Sequence, residues 1–297
     1  MAAQRLQLPE VERLSGSVIR LLAGNPGKYT LQGTNTYLVG HGAQRLLIDT
    51  GEGRPSWSAA LKALLVAENA TVKQALLTHW HRDHVGGVRD LLKMCPEAQV
   101  YKHEGEQGEL GIEDGQVFKV PGATLRAIYT PGHTTDHMAF LLEEENTLFT
   151  GDNVLGHGTA VFEDLVVYMS TLESMRTLGA GRGYPGHGAV IEDCGAKITE
   201  YIDHRRQREE EVFRVLKIGG LDSDKAKATA TATAQGKARA LSPIDLVGVI
   251  YPDLAEELHM SAAHGVIQVL LKLEGEGKVV QDGESGRWMI NGGKAAL

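Results

Sequence analysis

Short apolar runs alternate with glycine-rich turns from Val18 to Gly195. Apolar runs of about four to eight residues that end at turn residues are typical of β-strands, whereas an apolar residue every three or four positions is typical of an amphipathic helix. The predicted strands are Val18–Leu22, Thr36–Val39, Arg45–Ile48, Val72–Leu77, Gln99–Lys102, Gln116–Val120, Thr124–Tyr129, Met138–Leu142 and Thr147–Phe149, and the predicted helices are Ser56–Val66 and Val88–Met94. Such a series favours an α+β fold in which two sheets pack face to face with helices outside.

The composition changes after Gly195. The segment Ala196–Leu216 contains few helix breakers and predicts one long helix. Lys225–Arg239 is basic and low in complexity, with alternating alanine and threonine. Because such small side chains bury little apolar surface, we expect a flexible insertion at about residues 222–240, with an additional helix as the alternative.

The last part of the chain predicts a small winged-helix-like unit. Pro243–Ile250 and Ala262–Glu276 have helical patterns, and a turn separates the short runs Val279–Gln281 and Arg287–Ile290 as in a β-hairpin. We expect this unit to act as a lid or as a dimer element. Sequence-specific DNA binding is disfavoured, because the helix that would contact the bases, Ser261–Glu274, has one lysine and no arginine. The expected division is a domain over residues 1–195 and a C-terminal region over residues 196–297.

Composition and charge are those of a globular protein without membrane helices. The chain has 297 residues, 42% of them hydrophobic and 23% charged, as in ordinary globular proteins. No apolar stretch approaches the roughly 20 residues of a membrane helix, and the N-terminal sequence lacks the apolar core of a secretory signal, so we expect a cytoplasmic protein. Two cysteines cannot form a disulfide framework. The net charge of −8 disfavours broad binding to polyanions.

The segment Thr78–Gly87, T-H-W-H-R-D-H-V-G-G, carries the strongest chemical signal. It follows the predicted strand Val72–Leu77 and places three imidazoles and one carboxylate within six positions. A strand end can deliver such side chains to one spot, and nitrogen and oxygen donors in this density are typical of a metal site. The four candidate ligands are His79, His81, Asp83 and His84.

Three further ligand-type residues follow other apolar runs, each beside glycine or proline. They are His133 in T-P-G-H, Asp152 in T-G-D and His187 in P-G-H-G. Seven ligands are too many for one tetrahedral zinc and suit two metals that share a bridge. We assign His79, His81 and His133 to one metal, Asp83, His84 and His187 to the other, and Asp152 to a position between them.

This order of motifs, H-x-H-x-D-H followed by a lone His, Asp and His, resembles the metallo-β-lactamase superfamily over essentially the whole chain. More narrowly, four segments resemble the lactamase-like 2 subfamily, which includes an animal endoribonuclease and fungal thioesterases that release polyketides from an acyl carrier protein. These segments are Gly33–Val39, Leu46–Gly53, Gly151–Leu165 and Tyr184–Gly188. Gly24–Leu38 is most similar to the fungal thioesterases, among them the atrochrysone carboxyl carrier-protein type. The resemblance implies a four-layer αββα sandwich with two Zn²⁺ at one edge of the sheets and a C-terminal winged-helix region.

Two zinc ions lower the pKa of a shared water, so we expect a metal-bridging hydroxide to be the nucleophile. Asp83 can orient it and pass its proton to the leaving group. Asn35 and Tyr37 are candidate substrate-binding residues near the rim, although turn formation and core packing explain them equally well. Asp49 either holds a ligand imidazole in its metal-binding tautomer or caps the strand end.

Three functions compete at this stage. The leading hypothesis is a zinc thioesterase whose partner is the acyl carrier protein domain of a polyketide synthase with its acyl chain, and it rests on the resemblance. A single-strand-specific endoribonuclease with RNA as its partner would use the same metals, but it requires a basic track with stacking side chains. A binding module with structural metals is disfavoured, because structural zinc sites are normally closed by four protein ligands. No membrane partner is expected, and an oligomer is possible.

Overall fold

The computed structural model describes residues 7–106, 108–218 and 240–292. The chain divides into two compact units, Met1–Tyr201 and Ile202–Leu297. The long helix α5, Cys194–Ile218, extends across this division, and the predicted boundary after residue 195 stays a prediction. The predicted insertion at about residues 222–240 lies outside the described residues, except for residue 240.

Two sheets form the centre of the first unit. The seven-stranded sheet follows chain order from β1 to β7, and the five-stranded sheet has the order β12-β11-β10-β9-β8. The strands of the first sheet are β1 Val11–Arg13, β2 Val18–Leu22, β3 Asn35–Val39, β4 Gln44–Ile48, β5 Thr71–Leu76, β6 Gln99–Lys102 and β7 Leu110–Gly111. Those of the second are β8 Val117–Val120, β9 Ala123–Tyr129, β10 Met138–Leu142, β11 Thr147–Gly151 and β12 Arg182–Pro185.

The strands β2, β3 and β4 of the first sheet are buried on both faces, which explains their continuous apolar runs. In β4, Leu46 and Ile48 pack between the two sheets with Phe140 and Phe149 of the second sheet. Leu47 points to the opposite face, as the period of two residues in a strand requires, and packs with Trp57. Two apolar layers therefore hold the first sheet, one against the second sheet and one against helices.

Helices cover the outer faces. Helix α1, Pro55–Ala67, buries Trp57 and Leu61 in the same cluster as Leu91 of α3, Val88–Met94. Helix α4, Leu165–Thr177, begins at Asp164, whose side chain accepts the amide of Val167, and it buries Tyr168, Leu172 and Met175. The predicted α+β sandwich of four layers, αββα, is confirmed.

The second unit contains a small winged-helix arrangement. Helix α6, Pro243–Ile250, begins with a capping box between Ser242 and Asp245. A 3-10 turn, Glu256–Leu258, and helix α7, His259–Gly275, follow, and the hairpin of β13, Val279–Gln281, and β14, Trp288–Ile290, ends the unit. The single lysine of α7, Lys272, forms ion pairs with Glu209 and Glu276 at 2.7 and 2.5 Å. No described helix has the length and apolar character to cross a membrane.

All the strands and helices predicted from the periodicity are present, with ends shifted by a few residues. The pattern did not predict the edge strands β1 and β7, which are very short and mostly exposed, because such strands carry almost no apolar signal. It also missed α4, although Asp164 and the apolar spacing after it are an ordinary helix start. Both cysteines, Cys95 and Cys194, are buried free thiols.

Candidate metal centre

The ligand-rich motif begins where β5 ends. Strand β5 is parallel to its neighbours β4 and β6, so its carboxyl end opens at one edge of the sheet. His79 and His81 lie in the segment that leaves this end. Asp83 and His84 lie in one short helical turn, α2, Arg82–Val85. The amide of His84 donates to the carbonyl of His81 at 2.9 Å, and this turn directs Asp83 and His84 back toward the sheet edge.

The other three predicted ligands follow the strands of the second sheet. His133 comes after β9, Asp152 after β11 and His187 after β12, which is parallel to β11. The two sheets meet at this edge. A hydrogen bond shows the contact: the amide of Asn35, at the start of β3, donates to the carbonyl of Gly186, which follows β12, at 2.7 Å. The structure therefore brings all seven predicted ligands into one cluster.

Three imidazoles form the first part of this cluster, which we call the triple-histidine group. His79 Nε2 lies 2.9 Å from His81 Nδ1, and His133 Nε2 lies 3.0 Å from the same His81 nitrogen. The three nitrogens converge on one point, and these are the groups that bind zinc as neutral imidazoles.

Asp83, His84 and His187 form the second part, the mixed group. Asp83 Oδ2 lies 3.3 Å from Nε2 of both His84 and His187. Asp152 lies between the two groups, with Oδ2 at 3.2 Å from His187 Nε2 and at 3.6 Å from His133 Nε2. One carboxylate thus reaches side chains of both groups, and its predicted role as a ligand between two metals stays a prediction.

The two groups differ in their electrostatics. Burial lowers the pKa of His79 well below its usual value and lowers the pKa of His81 to about 4. Burial also acts to lower the pKa of His84 and His187, but neighbouring carboxylates outweigh it. Asp152 and Asp49 raise the pKa of His84 well above its usual value, and Asp152 and Asp83 raise that of His187 to about 9.

Unsatisfied buried atoms show that the cluster fits metal ions. His84 Nε2 and Asp152 Oδ1 are buried without a hydrogen-bond partner in the described part of the chain. Such an arrangement is costly unless a ligand completes it. Gly186 keeps the space open, because a Cβ there would lie 2.2 Å from Asp152 Oδ1 and 3.0 Å from His84 Cε1. The residues present therefore fit bound metal.

Several residues outside the ligand set orient the ligands. Asp49 Oδ2 accepts Nδ1–H of His84 at 2.7 Å, and its Oδ1 accepts the amide of Thr78 at 2.8 Å. This contact directs Nε2 of His84 into the cluster, so of the two roles considered for Asp49 the structure favours the ligand-orienting one. His133 is oriented in the same way by a backbone group, since its Nδ1 lies 2.7 Å from the carbonyl of Val161.

His137 is buried close to the cluster but its nitrogens bind protein groups. Its Nε2 accepts the amide of Asp152 at 3.1 Å, and its Nδ1 lies 2.9 Å from Thr130 Oγ1. His137 therefore positions the backbone of Asp152.

Asn25 and Thr34 form a second support that the sequence analysis missed. The side-chain amide of Asn25 donates to Thr34 Oγ1 at 3.0 Å, and Thr34 Oγ1 donates to Asp83 Oδ2 at 3.1 Å. Because Asn25 Nδ2 can only donate, the hydroxyl hydrogen of Thr34 is directed to Asp83. The chain fixes the orientation of Asp83 in this way.

The structure places Asn35 and Tyr37 beneath the loop of His187. Asn35 Nδ2 donates to the carbonyls of Pro185 and Gly188, each at 2.9 Å, and Tyr37 Oη donates to the Pro185 carbonyl at 2.6 Å. Both side chains are buried, and burial raises the pKa of Tyr37 well above its usual value. They are placed to hold this loop, and the predicted substrate contact stays a prediction.

Comparison with known proteins places this centre in a family. Residues 29–187 match the family described as the metallo-beta-lactamase superfamily. The chain belongs to the metallo-β-lactamase superfamily. Residues 242–288 match a second family, described as a beta-lactamase associated winged helix domain, which agrees with the second unit. The expected enzyme class, a hydrolase of this superfamily, is confirmed.

Fungal relatives match almost the whole chain. The lactamase-like protein adaB of Aspergillus niger is 48% identical over 294 residues, which cover 98% of this chain and 91% of the relative. A protein of Aspergillus chevalieri named atrochrysone carboxyl ACP thioesterase is 44% identical over 97% of this chain and 91% of its own length. The predicted resemblance to fungal proteins of this type is confirmed.

Solved structures show the same fold at low sequence identity. A metallo-β-lactamase family protein from Thermus thermophilus superposes with a TM-score of 0.70 at 24% identity and covers 94% of this chain and 100% of its own. A β-lactamase domain protein from Burkholderia ambifaria gives a TM-score of 0.78 at 17% identity, with 96% and 95% covered. These likenesses support the fold of the chain.

Proposed function

We propose that this protein is a dinuclear zinc thioesterase that hydrolyses an acyl group bound to an acyl carrier protein. The observation that carries the proposal is the relative named atrochrysone carboxyl ACP thioesterase, which matches 97% of this chain at 44% identity. The partner would be the acyl carrier protein domain of a polyketide synthase, and a cytoplasmic location belongs to the same proposal. The ligand cluster supplies the chemistry, because its seven donors suit two ions rather than one.

The triple-histidine group would hold one zinc ion and the mixed group the other, with Asp152 between them. Two zinc ions bound there would activate a water molecule and polarise the thioester carbonyl. Thr34 and Asp49 keep Asp83 and His84 oriented while the reaction proceeds. Gly186 leaves room for the side chains of Asp152 and His84, which a Cβ at this position would meet.

Asp83 is the residue that we assign to proton transfer. Its Oδ2 accepts the Thr34 hydroxyl and faces the histidines, and Oδ1 takes part in none of these three contacts. Oδ1 can accept a proton from the attacking water and deliver it to the sulfur as the carbon–sulfur bond breaks. The products are a carboxylic acid and the thiol of the carrier arm. A thiolate leaves readily, so no further acid is required.

The test compares two substrates on the zinc-loaded full chain. One reaction contains an acyl carrier protein loaded with an acyl thioester, and the other contains single-stranded RNA. We expect thioester hydrolysis that falls by at least about 100-fold in Asp83→Ala. Glu97→Ala, which removes an exposed carboxylate, is the matched control and should retain full activity.

Cleavage of RNA without thioester hydrolysis would contradict the proposal. It would favour the endoribonuclease that uses the same cluster. Equal thioester hydrolysis by the wild type and Asp83→Ala would contradict the assigned role of Asp83.

A further inference from the structure

Two exposed apolar side chains border the triple-histidine group. Trp80 is 52% exposed and Val161 is 56% exposed. The indole of Trp80 packs edge-on against the ring of His81, with ring centroids 4.4 Å apart. Val161 lies beside His133, which binds its carbonyl. The facing nitrogens of His81 and His133 are 3.0 Å apart, so Trp80, through its ring, and Val161, through its carbonyl, each contact one member of the same pair of candidate ligands.

Trp80 differs from the other two tryptophans of the chain. Trp57 is 0% exposed and donates its indole N–H to Thr36 Oγ1, and Trp288 is 3% exposed. Trp80 is held between the end of β5 and α2, directly beside the metal ligands, while its flat apolar surface faces solvent. A rigid aromatic surface binds apolar ligands at low cost in conformational entropy.

The segment around Val161 is also fixed. The next residue, Phe162, is buried and stacks on Tyr168 with ring centroids 5.2 Å apart. The amide of Glu163 donates to the carbonyl of Gly132 at 2.8 Å, in the loop that carries His133. Contacts at its own carbonyl and at the two following residues hold the backbone, while the Val161 side chain is exposed to solvent.

We propose that Trp80 and Val161 form the surface that binds an apolar, planar acyl group and selects it over a short acyl group. This inference rests on the proposed thioesterase function. The carbonyl carbon must lie at the ligand cluster during hydrolysis, so the acyl group extends over a bordering surface. The Val161 side chain has no polar atom and the indole has only its N–H, so this surface favours flat hydrocarbon over phosphate or sugar.

The experiment measures selectivity on small thioesters of N-acetylcysteamine. Hydrolysis of the 2-naphthoyl and acetyl thioesters is compared for the zinc-loaded wild type, Trp80→Ala, Trp80→Phe and Val161→Ala. We expect the naphthoyl-to-acetyl ratio of kcat/KM to fall about tenfold in Trp80→Ala, mainly through KM, and about threefold in Val161→Ala. Trp80→Phe should restore most of the ratio.

Val66→Ala is the matched control. Val66 is 74% exposed and lies near the end of α1, before the start of β5, whereas the metal ligands follow the end of that strand. This variant should leave both thioesters unaffected. If the wild type is active and the ratio is unchanged in Trp80→Ala, the inference is overturned. The same holds if both thioesters slow equally and the zinc content falls, since Trp80 would then only position His81.

A calorimetric readout separates this inference from the proposed function. A thioether analogue of the naphthoyl substrate, with CH₂ in place of the carbonyl, cannot be hydrolysed. We expect it to bind about tenfold more weakly to Trp80→Ala than to the wild type, whether or not thioesters are turned over. Equal binding would overturn the inference. So would Trp80-dependent binding of single-stranded oligouridylate without thioether binding, because Trp80 would then stack on a base.

Discussion

The triple-histidine group and the mixed group lie side by side, but the chain surrounds them differently. His79, His81 and His133 are oriented by a threonine hydroxyl, by each other and by one backbone carbonyl. His84 and His187 lie among three carboxylates, those of Asp49, Asp83 and Asp152, within 3.6 Å. Burial therefore dominates for His79 and His81, and negative charge dominates for His84 and His187. We expect the two groups to respond differently to mutation and to pH.

The largest effect is expected for Asp152→Ala, because Asp152 is the carboxylate that reaches both groups. Its loss should reduce the metal content and lower kcat/KM for a thioester by about 1000-fold. Elemental analysis and turnover assays measure the two effects. If Asp152→Ala still binds two metals and turns over the thioester at nearly the wild-type rate, Asp152 does not act as a ligand between the two groups.

Asp49→Asn should affect the mixed group alone. Asparagine keeps the oxygen that accepts the Thr78 amide but presents NH₂ to His84 Nδ1 instead of a carboxylate oxygen. Changing such a contact typically weakens metal binding by about 10- to 100-fold. Competition with a chromophoric chelator should show one weakened zinc equivalent and one unchanged. Equal weakening of both equivalents would remove the distinction between the groups.

The two groups should also differ in the pH dependence of zinc binding. In metal-free protein, the raised pKa of His84, and that of about 9 for His187, keep these rings protonated at pH 7, so zinc must displace protons. Affinity of the mixed group should rise with pH up to about 9. With the pKa of His79 lowered and that of His81 at about 4, no such competition is expected from these two rings near pH 7. Calorimetry in two buffers measures proton release for each equivalent, and the same release for both would contradict this prediction.

The smallest effect is expected for Thr34→Val, which removes the hydrogen bond to Asp83 but keeps the shape of the side chain. One hydrogen bond of about 1 kcal/mol corresponds to a loss of roughly fivefold, which we expect in kcat with little change in KM. Thr34→Ser retains the hydroxyl and should behave as the wild type. A loss of the same size in both variants would point to packing instead.

The convergence of the candidate ligands could be predicted from the sequence better than the residues that orient them, and the reason is physical. His79, His133 and His187 follow apolar runs, and strand ends of a sheet meet at one edge, so their convergence could be predicted. The contact of Asn25 and Thr34 with Asp83 depends on how a distant loop packs, and no local pattern encodes it.

Contacts made by backbone groups could not be predicted from the sequence either. The carbonyl of Val161 that orients His133 belongs to a residue whose side chain carries no hint of that role. For Asn35 and Tyr37 the sequence left substrate contact and a structural role equally open, and the structure buries both side chains beneath the loop of His187. Burial arises from contacts between strands that are remote in sequence, here β3 and β12.

The central claim is that two zinc ions, held by the triple-histidine group, the mixed group and Asp152, catalyse thioester hydrolysis. Zinc titration of metal-free protein, followed by hydrolysis of an acyl carrier protein thioester, tests it most directly. The account predicts no turnover without zinc and a rise that saturates at two equivalents per chain, whereas full turnover in the presence of excess chelator would contradict it.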